Sequence, residues 1–399
     1  MQPATATDIS SRLQSETRRQ LGHPQLVRTL NDEVARAAGR EPTSAVSTEL
    51  HPRCQMLAHS LRAHGDAPLA VSQYFGIALQ QYATALDVIE RVARTTPDPG
   101  ILDFACGFGR LLNLLVRVVP PERVRAAEIQ PEAVSFVADR FGVEAMMSTD
   151  RPGDFDPGRR FDVIWVASLF SHLPPGLFQR WLARLAELLT PAGVLLFTVH
   201  DQALLPADMP MPSEGVLYIA GSENPDLDPS RYGTTFVTEA YVRAAVEEAV
   251  GRDRPALRLP RLMNYEQDAW AVGGSPTRDL SALADLPLGV RGWLDLHRVD
   301  EHGVLYLEGW AGSMDGGDAA DVEITLDGRP QPVSMGEPRP RVAEVLGKPG
   351  LESCGFSARI PLPAGRPEAW VRVRARDDAT GRGALIFAGA LDNPAASQA

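Results

Sequence analysis

Short apolar segments alternate with amphipathic segments through the middle of the chain. Residues 123–129, 161–168 and 193–200 have the composition of strands, and residues 131–141 and 175–189 have the spacing of helices between them. Residues 163–166 are apolar at every position, which indicates a central strand buried on both faces. The pattern therefore predicts a parallel sheet covered by helices, with a ligand crevice at the carboxyl ends of its strands.

Further elements extend this unit in both directions. Residues 71–92 carry apolar side chains every three or four positions and predict a helix that leads into the sheet. A loop rich in Pro, Asp, Gly and Ser is expected over 202–235, followed by a helix over 239–250 with Thr238 as its N-cap. Residues 258–263 and 267–272 are predicted as the last two strands of the sheet.

The carboxyl-terminal part has a different period. Apolar and polar positions alternate singly in segments of residues 288–390, and Asp327-Gly328 between two such segments predicts a hairpin turn. Six to eight strands in a small β-sandwich are expected there, with Trp310 in the core more readily than on a sugar-binding surface. The predicted domains are a helical extension over 1–70, an α/β domain over 71–274 and the β domain over 288–390.

Composition excludes several classes of protein. The 399 residues include 39 Lys and Arg against 51 Asp and Glu, a net charge of −12, which disfavours a nucleic acid as the main partner. Three widely separated cysteines give neither a disulfide framework nor a metal site. No apolar stretch is long enough to cross a membrane and the first residues do not resemble a secretion signal, so a cytoplasmic location is expected. Self-association into a homo-oligomer is left open.

The most informative motif is a glycine loop after the first strand of the sheet. Residues 101–110, Ile-Leu-Asp-Phe-Ala-Cys-Gly-Phe-Gly-Arg, predict a buried strand that turns through Gly107 and Gly109 into a helix, and Glu128 ends the next strand. A carboxylate at that place can accept hydrogen bonds from both hydroxyls of a ribose. A dinucleotide loop would need a third glycine where the chain has Leu112. The motif therefore predicts a nucleoside site without a pyrophosphate.

Residues 101–201 resemble the class I S-adenosylmethionine-dependent methyltransferases, with Ala105 standing where that family usually has glycine. The resemblance implies an α/β fold with a Rossmann-like seven-stranded sheet and S-adenosyl-L-methionine as the cofactor. It places Asp103, Gly107 and Gly109 along the methionine half and Glu128 on the ribose. The full set of expected cofactor-binding residues is Asp103, Ala105, Gly107, Gly109, Glu128, Ile129, Met147, Ser148, Ala167, Ser168 and Tyr74.

Two histidines are the candidate catalytic bases, because they follow the fourth and fifth predicted strands at the open end of the sheet. His172 lies after the fourth strand, and His200 ends the fifth beside Asp201, which could orient its ring. An imidazole titrates near neutral pH and can accept a proton from a hydroxyl. A purely structural role for either histidine is the alternative. Asp201 and Tyr232 are the candidate substrate contacts.

Together these features predict a methyltransferase of the EC 2.1.1 class. The favoured reaction is O-methylation of a hydroxyl on a small polar acceptor, such as a sugar of a glycan precursor or a glycosylated natural product. The sugar hypothesis draws on a weak resemblance of the β domain to accessory modules of bacterial glycan-modifying enzymes, based on residues 309–311, 337–342 and 355–356. Two alternatives remain: an N- or C-methyltransferase of a small molecule, and a non-catalytic glycan-binding or assembly protein whose methyltransferase domain only holds the cofactor.

Overall fold

The computed structural model contains the sheet that the sequence predicts, composed of seven strands and extended at one strand end by two further short strands. The structure describes residues 10–221 and 227–398 and divides into two units, one spanning residues 81–287 and the other combining residues up to Gln80 with those from Leu288 onward. The strands of the first unit are β1 (Ile101–Phe104), β2 (Val124–Glu128), β3 (Glu144–Met147), β4 (Phe161–Val166), β5 (Leu189–Asp201), β6 (Val216–Ile219), β7 (Thr234–Val237), β8 (Ala256–Met263) and β9 (Gln267–Gly273).

The order of the strands explains where the sheet can bind a ligand. Strands β3, β2, β1, β4 and β5 are parallel neighbours in that order. Strand β9 pairs antiparallel with β5, and β8 pairs antiparallel with β9. The chain reverses its direction of winding between β1 and β4, so the carboxyl ends of these strands open a crevice. The expected α/β fold with a seven-stranded sheet is confirmed.

Strand β4 shows why the sequence folds in this way. Val163, Ile164, Trp165 and Val166 are each at most 2% exposed, as expected for a strand with both faces covered. The helices of this part of the chain are α4 (Ala67–Ala93), α5 (Leu112–Leu115), α6 (Pro131–Phe141), α7 (Pro175–Glu187) and α8 (Glu239–Val250). Helix α7 contributes Phe178, Trp181 and Leu185 to the core on one side of the sheet.

The expected N-cap of α8 is confirmed, whereas the expected loop over 202–235 contains two short strands. Thr238 caps α8, since its hydroxyl accepts a 3.1 Å hydrogen bond from the N–H of Tyr241. The region expected to be a loop contains β6 and β7, which pair antiparallel, and β7 also continues the edge of β5 at His200 and Asp201. Four-residue strands flanked by Pro, Gly and Asp give too short an alternation for sequence periodicity to detect.

In its described residues, the second unit contains eight strands and four helices in addition to the first part of α4. The helices α1 (Ser11–Leu21), α2 (Pro24–Ala38) and α3 (Gln55–His64) precede α4, and α9 (Pro340–Leu346) lies among the strands. The strands are β10 (Val290–Val299), β11 (Val304–Ser313), β12 (Asp321–Leu326), β13 (Arg329–Gln331), β14 (Ser334–Glu337), β15 (Gly355–Pro361), β16 (Glu368–Arg376) and β17 (Gly383–Asp392).

These strands form two antiparallel sheets, ordered β10-β11-β15-β14 and β13-β12-β16-β17. Leu307 and Phe356 of the first sheet share a core with Val373 and Phe387 of the second. Asp327 and Gly328 both have positive φ in a two-residue turn between β12 and β13, which confirms the predicted hairpin. Trp310 is only half-buried and lies opposite Trp293 of β10, so the expectation of a core position is wrong. Within the described ranges, no helix is both long and apolar enough to span a bilayer.

Candidate cofactor and acceptor site

The turn after β1 takes the backbone through three left-handed residues. Ala105, Gly107 and Gly109 have φ of 59°, 56° and 76°. The loop is anchored to β2, because the Ala127 carbonyl accepts hydrogen bonds from the N–H groups of Ala105 (2.8 Å) and Cys106 (3.3 Å). Helix α5 is only one turn long, so the loop backbone and the carboxylates around it define this site more than the helix terminus does.

Gly107 and Gly109 have different surroundings. A Cβ atom on Gly109 would collide with the ring of Phe141 and lie 2.9 Å from Cγ1 of Val137, both on α6. A Cβ atom on Gly107 would meet no atom within 4 Å. Gly109 therefore allows the loop to pack on α6, whereas Gly107 leaves open space above the backbone that a ligand can approach closely.

This difference predicts opposite phenotypes for two alanine variants. Gly109→Ala should lower the free energy of unfolding by about 2–4 kcal/mol, because overpacking adds to the cost of a left-handed alanine. Gly107→Ala should cost only about 1–2 kcal/mol of stability but weaken binding of S-adenosylmethionine at least about tenfold, since its methyl group enters the open space. Denaturant unfolding and calorimetric titration measure the two effects. Equal loss of stability in both variants would contradict the assignment.

Glu128 closes the loop from the end of β2. Its carboxylate is 6% exposed and accepts hydrogen bonds from the N–H groups of Gly107 (2.8 Å), Ile129 (2.8 Å) and Gln130 (3.2 Å). Burial raises the pKa of Glu128, and these three donors oppose that rise. A carboxylate oriented in this way still has acceptor positions for the hydroxyls of a ribose.

Asp103 is one of several described residues with a buried side-chain atom that lacks a hydrogen-bond partner. It is 4% exposed, and its Oδ2 has no hydrogen-bond partner among the described residues. Burial, followed by the negative charge of Glu128, raises the pKa of Asp103 to about 8. A buried carboxyl with one unpaired oxygen, in the strand that leads into the glycine loop, fits a ligand that carries a cationic amino group, as the methionine half of S-adenosylmethionine does.

The raised pKa of Asp103 makes a prediction for the cofactor-free protein. The pKa of Asp103 is about 4 in the unfolded state and about 8 in the folded state, so between these pH values only the folded state keeps the proton. The free energy of unfolding therefore falls as the pH rises through this window. Asp103→Asn cannot ionise. Its stability relative to the wild type should therefore be greater at about pH 8.5 than at about pH 5. Unfolding curves at both pH values test this, and a constant difference between the two proteins would contradict it.

Strand β3 supplies an apolar surface next to Glu128. Met147 is the register partner of Glu128 and is 47% exposed, and Ile129 is 36% exposed. The N–H of Ser148 donates to the Glu128 carbonyl over 2.8 Å. Asp150, further along the same loop, pairs with Arg231 at 2.7 Å. The residues predicted to contact the adenine therefore lie next to Glu128, and their role stays a prediction.

His172 is fixed by the segment before β7. Its Nδ1 donates to the Gly233 carbonyl over 2.7 Å, and its ring stacks on Tyr232 with centroids 4.6 Å apart. A neutral imidazole that carries its proton on Nδ1 has its basic lone pair on Nε2. The loop itself is tied to β7, because Ser171 accepts from the N–H of Thr235. Tyr232 thus supports His172, in addition to its predicted contact with the substrate.

His200 lies close to His172, with ring centroids 6.1 Å apart and the rings nearly perpendicular. Burial, followed by the charge of His172, lowers the pKa of His200 to about 4, so the ring is neutral at physiological pH. Its Nε2 lies 3.1 Å from Nε2 of Gln267, and its Nδ1 is buried without a hydrogen-bond partner in the described structure.

Asp201 does not hydrogen-bond His200. Consecutive residues of a strand point to opposite faces, so the carboxylate of Asp201 is directed away from the ring beside it. It pairs instead with Arg258 at 3.0 Å and accepts from the N–H of Ala203. The predicted orientation of His200 by Asp201 is therefore wrong, and the predicted contact of Asp201 with a substrate stays a prediction.

The remaining predicted residues lie in two places. Ala167 and Ser168 follow β4 at the crevice, where Ser168 has a φ of 58° and its N–H donates to Oγ1 of Thr198 over 2.8 Å. Tyr74 belongs to the other unit. There its ring is 3% exposed and packs edge-on against Phe75. Its role as a cofactor cover stays a prediction.

Sequence reasoning missed Thr198 and Gln267, which form hydrogen bonds at the site although they are 69 residues apart. Both lie on segments that the sequence predicts as strands, and no local motif distinguishes them from other strand residues. Among the described residues, no group of three or more His, Cys, Asp or Glu side chains is arranged to hold a metal ion.

Comparison with known proteins agrees with the geometry. Residues 101–193 match the family described as a methyltransferase domain. Together with the sheet order and the loop, this match identifies a class I S-adenosylmethionine-dependent methyltransferase domain, with S-adenosylmethionine as its cofactor. Comparison with curated protein sequences gave no match.

Similar solved structures include three bacterial proteins. The sugar N-methyltransferase KedS8 from Streptoalloteichus is 16% identical, with 48% of this chain and 87% of that chain covered and a TM-score of 0.35. CalS10, an amino pentose methyltransferase from Micromonospora echinaspora, is 18% identical, with coverages of 47% and 89% and a TM-score of 0.35. DesVI from Streptomyces venezuelae is 17% identical, with coverages of 48% and 91% and a TM-score of 0.36. These values leave the acceptor of the present chain open.

Proposed function

We propose that this domain transfers a methyl group to a hydroxyl oxygen of a small polar acceptor, such as a sugar of a glycan precursor or a glycosylated natural product. The observation that carries the proposal is the pair of imidazoles, His172 and His200, at the carboxyl ends of β4 and β5. When bound, S-adenosylmethionine supplies an activated methyl group on a sulfonium, so the protein has to align the acceptor and remove its proton.

The cofactor end of the site is composed of Asp103, the glycine loop and Glu128. Glu128 would hold the ribose hydroxyls while its backbone donors keep the loop closed. Asp103 would receive the amino group of the methionine half, which provides the partner that its Oδ2 lacks. Ile129 and Met147 would contact the adenine through their exposed apolar side chains.

The acceptor end favours a hydroxyl over a protonated amine. An amine reaches the site mostly as an ammonium, which a free carboxylate would bind. The carboxylates of Asp201 and Asp268 lie on the face of the sheet opposite to His200, where both are paired with Arg258, so they are not available to an ammonium beside His200, and the ring of His200 is neutral. His172, with its proton fixed on Nδ1 by Gly233, would take the hydroxyl proton on Nε2.

The sugar part of the proposal draws on the β unit. Trp293 and Trp310 are cross-strand neighbours, and both are half-buried. Paired half-buried indoles offer flat apolar area together with N–H donors, which suits a sugar ring. The competing hypothesis of a protein that only binds glycans predicts such a surface as well. The two hypotheses are distinguished by catalysis, because a protein that only binds glycans transfers no methyl group.

Product analysis tests the proposal. The protein is incubated with methyl-labelled S-adenosylmethionine and paired acceptors, namely a set of glycosides and the amino sugars that carry an amine in place of one hydroxyl. We expect label in an O-methyl group. Label found only on nitrogen or carbon, or no transfer to any acceptor of the panel while the cofactor binds, would overturn the proposal.

The role of His172 can be measured separately. His172→Gln should lower kcat by about 10²-fold or more, the usual contribution of a general base, while affinity for S-adenosylmethionine stays unchanged. His302→Gln is a matched control, because the side chain of His302 is 79% exposed in the other unit. An unchanged kcat in His172→Gln would contradict the role of His172 as the base.

A further inference from the structure

A chain of hydrogen bonds links the backbone after β4 to the ring of His200. The N–H of Ser168 donates to Oγ1 of Thr198 over 2.8 Å, and Thr198 Oγ1 lies 2.6 Å from Oε1 of Gln267. The hydroxyl of Ser168 adds a second contact to the same Oε1 at 3.2 Å. The other end of the amide, Nε2 of Gln267, lies 3.1 Å from Nε2 of His200.

The direction of each hydrogen bond in this chain follows from its neighbours. Thr198 Oγ1 accepts from a backbone N–H, so its own proton is directed to Gln267. A separation of 2.6 Å suits a hydroxyl donating to an oxygen and is short for an amide nitrogen. The carbonyl end of Gln267 therefore faces Thr198, which leaves its NH₂ group facing His200. An amide nitrogen can only donate, so Nε2 of His200 must be the acceptor.

We propose that Gln267 is a positioning residue that holds His200 in the tautomer with its proton on Nδ1. In this tautomer, Nδ1 of His200 donates a hydrogen bond to the molecule that receives the methyl group. This inference rests on the proposed function and assigns the two imidazoles different roles. His172 accepts the proton of the reacting hydroxyl. His200 binds a second oxygen of the same molecule.

The unpaired state of His200 Nδ1 supports this assignment. The atom is buried and lacks a hydrogen-bond partner among the described residues. A buried donor without a partner is costly, and an acceptor oxygen would satisfy it. An ammonium has no lone pair and therefore cannot accept this hydrogen bond. The site consequently selects molecules that place an oxygen acceptor next to the reacting hydroxyl, as vicinal oxygens of a sugar do.

Nitrogen NMR spectroscopy of ring-labelled histidine tests the proposal on the whole chain. Two-bond proton–nitrogen correlations show which ring nitrogen carries the proton, and His200→Asn identifies the resonances of His200. In the wild type we expect the proton on Nδ1. In Gln267→Glu, the carboxylate can only accept, so the proton should move to Nε2. Gln179→Met is the matched control, because Gln179 donates to the Ala245 carbonyl on α8 and has no hydrogen bond to this network.

Kinetics provide the second readout. Gln267→Glu should lower kcat/KM for the hydroxyl acceptor about five- to tenfold, the scale of one neutral hydrogen bond, with unchanged affinity for S-adenosylmethionine. Thr198→Val should have a smaller effect in the same direction, because it releases Gln267 without changing the group that faces His200. A wild-type proton on Nε2, or a Gln267→Glu spectrum identical to the wild type, would overturn the role of Gln267. Spectra as predicted, without transfer to any hydroxyl, would instead overturn only the proposed function.

Discussion

Replacing Glu128 with alanine should weaken the binding of S-adenosylmethionine by about 1.5–3 kcal/mol, or about 10- to 150-fold, the scale of hydrogen bonds to a charged group. The variant loses the acceptor for the ribose hydroxyls. It also releases the N–H of Gly107, so the loop loses its closure on β2. Equilibrium dialysis with labelled S-adenosylmethionine measures the affinity.

Glu144→Ala is the matched control for this prediction. Glu144 begins β3 and its side chain is 57% exposed in an ion pair with Arg125, remote in sequence from the glycine loop. Its removal should leave the affinity unchanged, because exposed ion pairs contribute little. Equal affinities of Glu128→Ala and the wild type would show that the carboxylate does not bind the cofactor.

Replacing Arg258 with alanine should lower the free energy of unfolding by about 3 kcal/mol or more. The guanidinium pairs with Asp201 at 3.0 Å, with Asp268 at 2.7 Å and with Glu239 at the start of α8. The carboxylate of Asp268 is only 3% exposed, so the variant leaves a buried charge without its ionic partner. Denaturant unfolding gives the change in stability.

Arg252→Ala is the corresponding control, because Arg252 is 90% exposed in a single pair with Glu247. It should change stability by less than about 0.5 kcal/mol. A loss of under about 1 kcal/mol in Arg258→Ala would mean that the three carboxylates do not depend on Arg258.

The cofactor half of the site could be predicted from the sequence because its parts are local. Gly107 and Gly109 follow a buried strand directly, and Glu128 ends the next strand of a parallel sheet. Adjacent parallel strands bring their carboxyl ends together, so the positions along the chain suffice to place these residues. The left-handed conformation of Ala105 also occurs at the position where the chain departs from the glycine of the family.

The acceptor half could not be predicted because it depends on long-range register. Gln267 reaches Thr198 and His200 because β9 runs antiparallel along β5, with Asp268 opposite Val199. A shift of one residue in that pairing would turn Gln267 to the other face of the sheet. The expected role of Asp201 failed for a related reason, since neighbours in a strand face opposite sides and Arg258 arrives from a separate strand.

The most direct measurement is a calorimetric titration of the purified chain with S-adenosylmethionine and S-adenosylhomocysteine, with NAD as the comparison. The loop geometry around Gly107, Glu128 and Asp103 predicts micromolar binding of the first two compounds and none of NAD. If neither S-adenosylmethionine nor S-adenosylhomocysteine binds, or if the chain prefers NAD, the result would contradict the central claim that this crevice holds S-adenosylmethionine for methyl transfer.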